Sequence, residues 1–174
     1  DIFLEIVGDF ALVWLLSPAM RFAPPPRPGS LPSIFSNLPS HVLQKADPTK
    51  AFTILQRLGC LAYKSIQFGL VGFASSMIGH STTKGLVSLR KSKEEPSEVV
   101  LAPVLQNSIA WGSFMAISST ARYQLVNGVE NRIIDAVLRD NLLLATVATF
   151  FLRTGNTYIG SVHWLRWAKW MRVQ

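Results

Sequence analysis

The chain has 174 residues, a length that suits one domain, with a formal charge of +7 and a 49% hydrophobic composition. Only 16% of residues are charged, against about 25% in an ordinary soluble domain, too few to keep a wholly wet surface. The single cysteine, Cys60, and three scattered histidines exclude an intrachain disulfide and argue against a His/Cys metal cluster.

No phosphate-loop, dinucleotide-binding or nucleophile-elbow motif is present. The expectation is therefore no enzyme, no cofactor and no metal. The basic residues gather at the edges of apolar runs, where anionic headgroups attract them, and no basic patch is interleaved with aromatic platforms. Membrane lipids are the expected partner and nucleic acid is not. A spanning helix takes about 20 mostly apolar residues, and residues 65–83 and 101–121 contain no charge at all. The predicted fold is an all-α integral membrane protein, one membrane domain over residues 1–174, with about four transmembrane helices plus amphipathic interfacial helices. There is no start methionine, so the chain is expected to be the interior or mature part of a longer precursor whose targeting peptide is gone.

The first predicted span covers residues 2–20, with Glu5 and Asp9 four apart on one helical face. Bare carboxylates facing lipid are expensive, so that face should look into a bundle, a cavity or the interface. Residues 23–40 hold a run of prolines, which removes backbone donors and predicts an extended linker. Ser40, or Asp47 before Pro48, is placed to cap the next helix. Lys50, Arg57 and Lys64 recur at intervals of seven, predicting an interfacial helix over about residues 49–64.

The second span is expected at residues 66–89. Gly69, Gly72, Ser76 and Gly79, continued by Thr83, make a stripe of small residues on it. Such a stripe lets helix backbones approach closely, as a packing seam or, in a sharper reading, as a face beside a permeation path. After a polar loop, the third span is predicted at 104–122, rich in hydroxyls and amides, and an amphipathic connector follows. The fourth span is expected at 142–164. The tail "HWLRWAKWMRVQ" alternates tryptophan with cations, as an interfacial anchor does.

Arg153 falls inside the fourth window, where an unpaired charge costs about 2.5–3.5 kcal/mol. Glu5 or Asp9 is the favoured partner, with Glu130 and Asp135 in the connector as the other candidates. Gly155 and Asn156 beside it suggest a local break in the helix. The group reads either as a brace that fixes helix order or as a substrate or counter-ion site. Arg122, Tyr123, Gln124 and Asn127 form a second polar group at the exit of the third span, an interface anchor or a ligand contact.

Four blocks, "EIVGDFALVWLLSP", "LQRLGCLAYKSIQFGLVGFASSMIG", "ISSTARYQLVNGVE" and "RTGNTYIGSVHWLRWAKW", taken in that order, resemble the RETICULATA-related proteins of plastids. The resemblance implies a plastid-targeted, multi-pass protein of the chloroplast envelope, of the inner membrane in particular. It also implies a connection to chloroplast development, with a proposed role in moving basic amino acids. Its recurring polar positions correspond here to Asp9, Arg57, Ser119, Arg122, Tyr123, Asn127, Arg153 and Asn156. One departure is Arg166, which stands before Trp167 where the family usually has an acidic residue.

Two functions follow as expectations. One is a small-metabolite, amino-acid transporter or transport component. The other is a non-catalytic structural or assembly subunit of a larger envelope complex, such as a protein-import or protease-related machine, packed against other envelope proteins or its own copies.

Overall fold

A computed structural model describes residues 37–46, 51–91 and 103–173 of the chain. The predicted first span, with Glu5 and Asp9, most of the proline-rich linker and Asp47 lie outside the described residues.

Three long helices dominate. Helix α1 (Ile54–Lys91) is 38 residues long, roughly 57 Å at the α-helical rise. It opens on a capping box: the Gln56 amide donates to Thr53 Oγ1 at 3.2 Å and the Thr53 amide donates to Gln56 Oε1 at 2.9 Å. The helix start is thus set by Thr53 and not by Ser40, whose backbone amide donates instead to Gln44 Oε1. No break separates the segment predicted as interfacial from the one predicted as a span.

Helix α2 occupies residues 104–137 and contains two π-helical turns. It runs as α-helix over Val104–Phe114, π-helix over Met115–Ser119, α-helix over Thr120–Val129, π-helix over Glu130–Ile134 and a last α-turn over Asp135–Val137. The Thr120 hydroxyl donates to the Met115 carbonyl five residues back, at 3.0 Å, the spacing of a widened turn. Helix α3 (Leu142–Trp170) is capped by Asn141, whose side chain accepts from the Leu144 amide at 3.1 Å. It continues without interruption through Gly155 and Asn156 and into the segment expected to be an anchoring tail, as far as Trp170.

No helix among the described residues is long and apolar enough to cross a membrane. This overturns the predicted spans at 66–89, 104–122 and 142–164, and with them the multi-pass reading. The cause is dilution. Helix α1 has length to spare, but glycine, serine, threonine and His80 break up its apolar stretch, and α3 carries Arg153, Thr154 and Asn156 between two apolar halves.

Helices α1 and α2 cross at a seam of small residues. A Cβ on Gly112 would stand 3.0 Å from the Gly69 carbonyl, and one on Gly72 would stand 2.7 Å from Met115 Cγ. Beside this seam sits the core of Phe68, Phe114 and Met115, with Trp111, Tyr123, Trp164 and Trp167 packed on it. The Trp111 and Trp164 rings meet edge to face at 4.7 Å, a geometry favoured by the ring quadrupoles. The indole N–H of Trp167 finds its acceptor in Ser113 Oγ at 3.2 Å. Ala110, Ala168 and Val173 close the end of the bundle where α2 begins and α3 finishes.

Candidate functional site

Among the described residues, Ser119, Arg122, Arg153 and Asn156, singled out by sequence, fall into two clusters along the α2–α3 contact. The first centres on Arg122. Its Nη1 donates to the backbone carbonyl of Asn156 at 3.0 Å and to Asn156 Oδ1 at 3.3 Å, and its Nη2 donates to Ser119 Oγ at 3.0 Å. The guanidinium lies 5.6 Å from the centroid of the Phe114 ring, within cation–π range. Gly160 leaves the space it occupies, since a Cβ there would come within 2.5 Å of Nη1. Burial pulls the guanidinium below the usual arginine range, partly offset by Tyr123. Its Nε is buried without a hydrogen-bond partner, and among the described residues no carboxylate pairs with it. The cation is therefore held by neutral acceptors and one aromatic face.

The second cluster is the ion pair expected of Arg153. Its partner is Glu130, at the start of the second π turn: Nε meets Oε1 at 2.7 Å and Nη2 meets Oε2 at 2.8 Å. The two side chains are 43% and 14% exposed, respectively, so the carboxylate is the more enclosed half. Of the four carboxylates considered for Arg153, the one used is on the neighbouring helix. Asn156 is buried and belongs to Arg122, not to a broken turn beside Arg153. Gly155 faces open space.

Tyr123 packs its ring on Phe68 at 5.8 Å. Asn127 is buried, and its backbone carbonyl accepts from Asn131 Nδ2 at 2.8 Å. Gly69 and Gly72 lie in the α1–α2 seam; Ser76 and Gly79 lie further along α1, where the Ser76 hydroxyl and carbonyl meet His80 Nδ1. His80 reaches across to Asn107 through its other ring nitrogen. Among the described residues no group of three His, Cys, Asp or Glu side chains is placed to hold a metal ion.

A third cluster escaped sequence reasoning. Residues 37–46 lie as a clasp across the ends of α1 and α2. Arg57 donates to the carbonyls of Val42 and Gln44, Arg132 donates to the Leu43 carbonyl at 2.7 Å, and Gln124 Oε1 accepts from the Val42 amide at 2.8 Å. Gly128 makes room for Leu43, which a Cβ would strike. His41 is buried inside the clasp, its Nδ1 without a partner. Burial, then Arg132 and Arg57, lower its pKa, and Glu130 acts in the opposite sense. The sequence signals were Gln124, grouped with Arg122, and Arg57, one of the family's polar positions and part of the stripe expected at the headgroups; the structure turns both to the backbone of residues 42–44 instead. That a cation at the start of one helix would bind loop carbonyls carries no periodicity to detect.

Similarity to known proteins agrees with the resemblance of the four blocks. A family model described as Protein RETICULATA-related matches residues 1–129. Among curated proteins, the chain is 35% identical to Protein RETICULATA-RELATED 4, chloroplastic, of Arabidopsis thaliana, over all of this chain and 46% of that protein. It is 30% identical to Protein RETICULATA-RELATED 1, chloroplastic, over all of this chain and 42% of that protein. Against Protein RETICULATA, chloroplastic, the identity is 29% over 97% of this chain and 40% of that protein. The chain thus spans less than half the length of these relatives. No solved structure matches it. The match to the family model and the full-length coverage of this chain establish that it belongs to the RETICULATA-related family of chloroplast proteins.

Proposed function

We propose that the chain is a non-catalytic helical assembly module of a larger plastid complex, sited at the envelope. The observation that carries this is the surface of α3. Leu142, Leu143, Phe150, Phe151 and Tyr158 are each 63–82% exposed, an apolar array far larger than isolated surface hydrophobics require. Its inward side, by contrast, is fixed to α2 by the Arg122–Asn156 and Arg153–Glu130 braces. Polar braces thus tie this part of α3 to α2, and its exposed apolar side chains are left for something else to cover.

The transport expectation rested on Glu5, Asp9, Arg153 and Asn156 at membrane depth and on the family resemblance; Glu5 and Asp9 lie outside the described residues, while Arg153 pairs with Glu130 and Asn156 with Arg122, which favours the assembly reading.

The test is to replace Leu143 and Phe150 with glutamate in the full-length protein and return it to plastids. Both side chains face outward, so the helical signal of the purified chain should stay unchanged while the native-size complex is lost. A complex that survives both substitutions, or a wild-type protein that runs as a monomer in mild extraction, overturns the proposal.

A further inference from the structure

Helix α1 carries two ridges of residues four apart. One of them, with Cys60, Phe68, Gly72 and Ser76, is buried. The other is two residues out of step, about 200° around the helix, and consists of Leu58, Ala62, Ile66, Leu70, Ala74 and Ile78, all exposed. Every exposed residue of α1 from Ile54 to Ile78 is apolar, and the large ones are 55–79% exposed. A helix face turned to water ordinarily collects polar residues, so this one calls for a cover. The order of sizes along the ridge says which. Close packing against another helix constrains where large and small residues fall, since bulk on one side must meet space on the other.

The ridge is complementary to itself run backwards. Take a two-fold axis through Ile66: Ala62 then stands opposite Leu70 of the second copy, Leu58 opposite Ala74, and Ile66 meets its own counterpart. Each leucine falls on an alanine. A parallel pair would set leucine on leucine and leave gaps at both alanines. Ridges of residues four apart interlock when two helices cross at about 50°, which limits the contact to this central stretch. It offers roughly 500 Å² per copy, about 1,000 Å² in all, the lower end for a specific interface, so pairing should be reversible. Charge favours the same direction. Helix α1 is antiparallel to α2, with His80 at the level of Asn107 and Gln106 beside Met171. Lys84, Arg166, Lys169 and Arg172 therefore share one end, while the carboxylates among the described residues, Glu130, Asp135 and Asp140, lie at the other. Antiparallel pairing keeps the two basic ends apart and turns each toward the end that carries carboxylates.

We propose that α1 pairs antiparallel with α1 of a second copy of the chain, across a two-fold axis at Ile66. The surface is isologous, the same patch on both copies. It is separate from the α3 array on which the assembly role rests, so either proposal can fail without the other.

The test uses the purified full-length protein. Ile66 is the ridge position that meets itself, so Ile66→Cys should give a disulfide-linked dimer under mild oxidation. Leu58→Cys should not, until it is mixed with Ala74→Cys protein. Wild type, whose Cys60 is 1% exposed, sets the background. Sedimentation then reads the packing. Ala62→Leu and Leu70→Ala should each weaken dimerisation about tenfold, one by overfilling the contact and the other by emptying it. Both changes in one chain exchange the sizes across the contact and should restore most of the dimer. These side chains are exposed in the single copy, so the helical signal should stay unchanged throughout. Leu143→Glu with Phe150→Glu, on the other surface, should leave the dimer intact. A monomer at every concentration, equal cross-linking at Leu58 and Ile66, an Ile66 cross-link to a chain of another size, or a double variant no stronger than the single ones would each overturn the proposal.

Discussion

Removing either half of the Arg153–Glu130 pair should cost different amounts, and the structure gives the order. Two parallel bonds of 2.7 and 2.8 Å join the fork of Arg153 to the carboxylate, the strong bidentate arrangement. Arg153→Met leaves Glu130 charged at 14% exposure with no partner, and an enclosed charge stranded in this way costs about 2 kcal/mol. Glu130→Gln leaves a guanidinium that is 43% exposed and able to turn to water, so its cost should stay near 1 kcal/mol after screening. The double variant should cost less than the two together, giving a coupling energy of about 1.5 kcal/mol. Urea unfolding of the four proteins, followed by helical signal, measures all of these from the shifts in midpoint. A coupling near zero, or a larger cost for Glu130→Gln than for Arg153→Met, would refute the reasoning.

Three further outcomes follow from the same geometry. Gly160→Ala should destabilise by about 1–2 kcal/mol, because its Cβ would displace Arg122 from Asn156; in an Arg122→Leu background the same change should become stabilising by up to about 1 kcal/mol through helix propensity alone, as thermal unfolding will show. His41 has its pKa lowered in the fold, so the unfolded chain binds the proton more readily and stability should fall as pH drops below about 6.5; His41→Leu should flatten that dependence between pH 7.5 and 5, read as the urea midpoint at each pH. Cys60 is 1% exposed with its thiol pKa raised by burial, so labelling by a thiol reagent should be slow in the folded chain and become fast at the unfolding midpoint.

What sequence could reveal here depended on the range of the interaction. The small residues at Gly69 and Gly72 repeat with helical spacing and are visible as a pattern before any partner is known. The Thr53–Gln56 capping box is equally local, yet Ser40 and Asp47 were more conspicuous candidates and drew the helix start too early. The polar positions at Arg122, Arg153 and Asn156 could be named, but their pairing could not. Asn156 reads as a break beside Gly155 until a second helix brings Arg122 to it from 34 residues away. The expectation of spanning helices at 66–89, 104–122 and 142–164 failed for a quantitative reason: apolar runs bounded by cations resemble spans, while the glycines, hydroxyls and amides between them lower the apolarity below what hydrocarbon requires. Those same groups are the ones used in helix-to-helix contact.

The π turns in α2 have a consequence for how this helix tolerates length changes. Each such turn holds one residue more than an α-helical turn, and one residue is worth about 100° of rotation about the helix axis. The three α-helical stretches of α2 are therefore phased independently: the first aims Gly112 at α1, the second aims Arg122 at α3, and Glu130, opening the second widened turn, meets Arg153. The widened turn absorbs its extra residue within one turn of the helix, so deleting one residue within Met115–Ser119 and letting that turn close to ordinary α-helix would keep Arg122 and Glu130 facing α3. A single-residue deletion there should therefore spare both braces, whereas one between Arg122 and Glu130, in α-helix with no extra residue to give up, would turn the two about 100° relative to each other and break at least one brace.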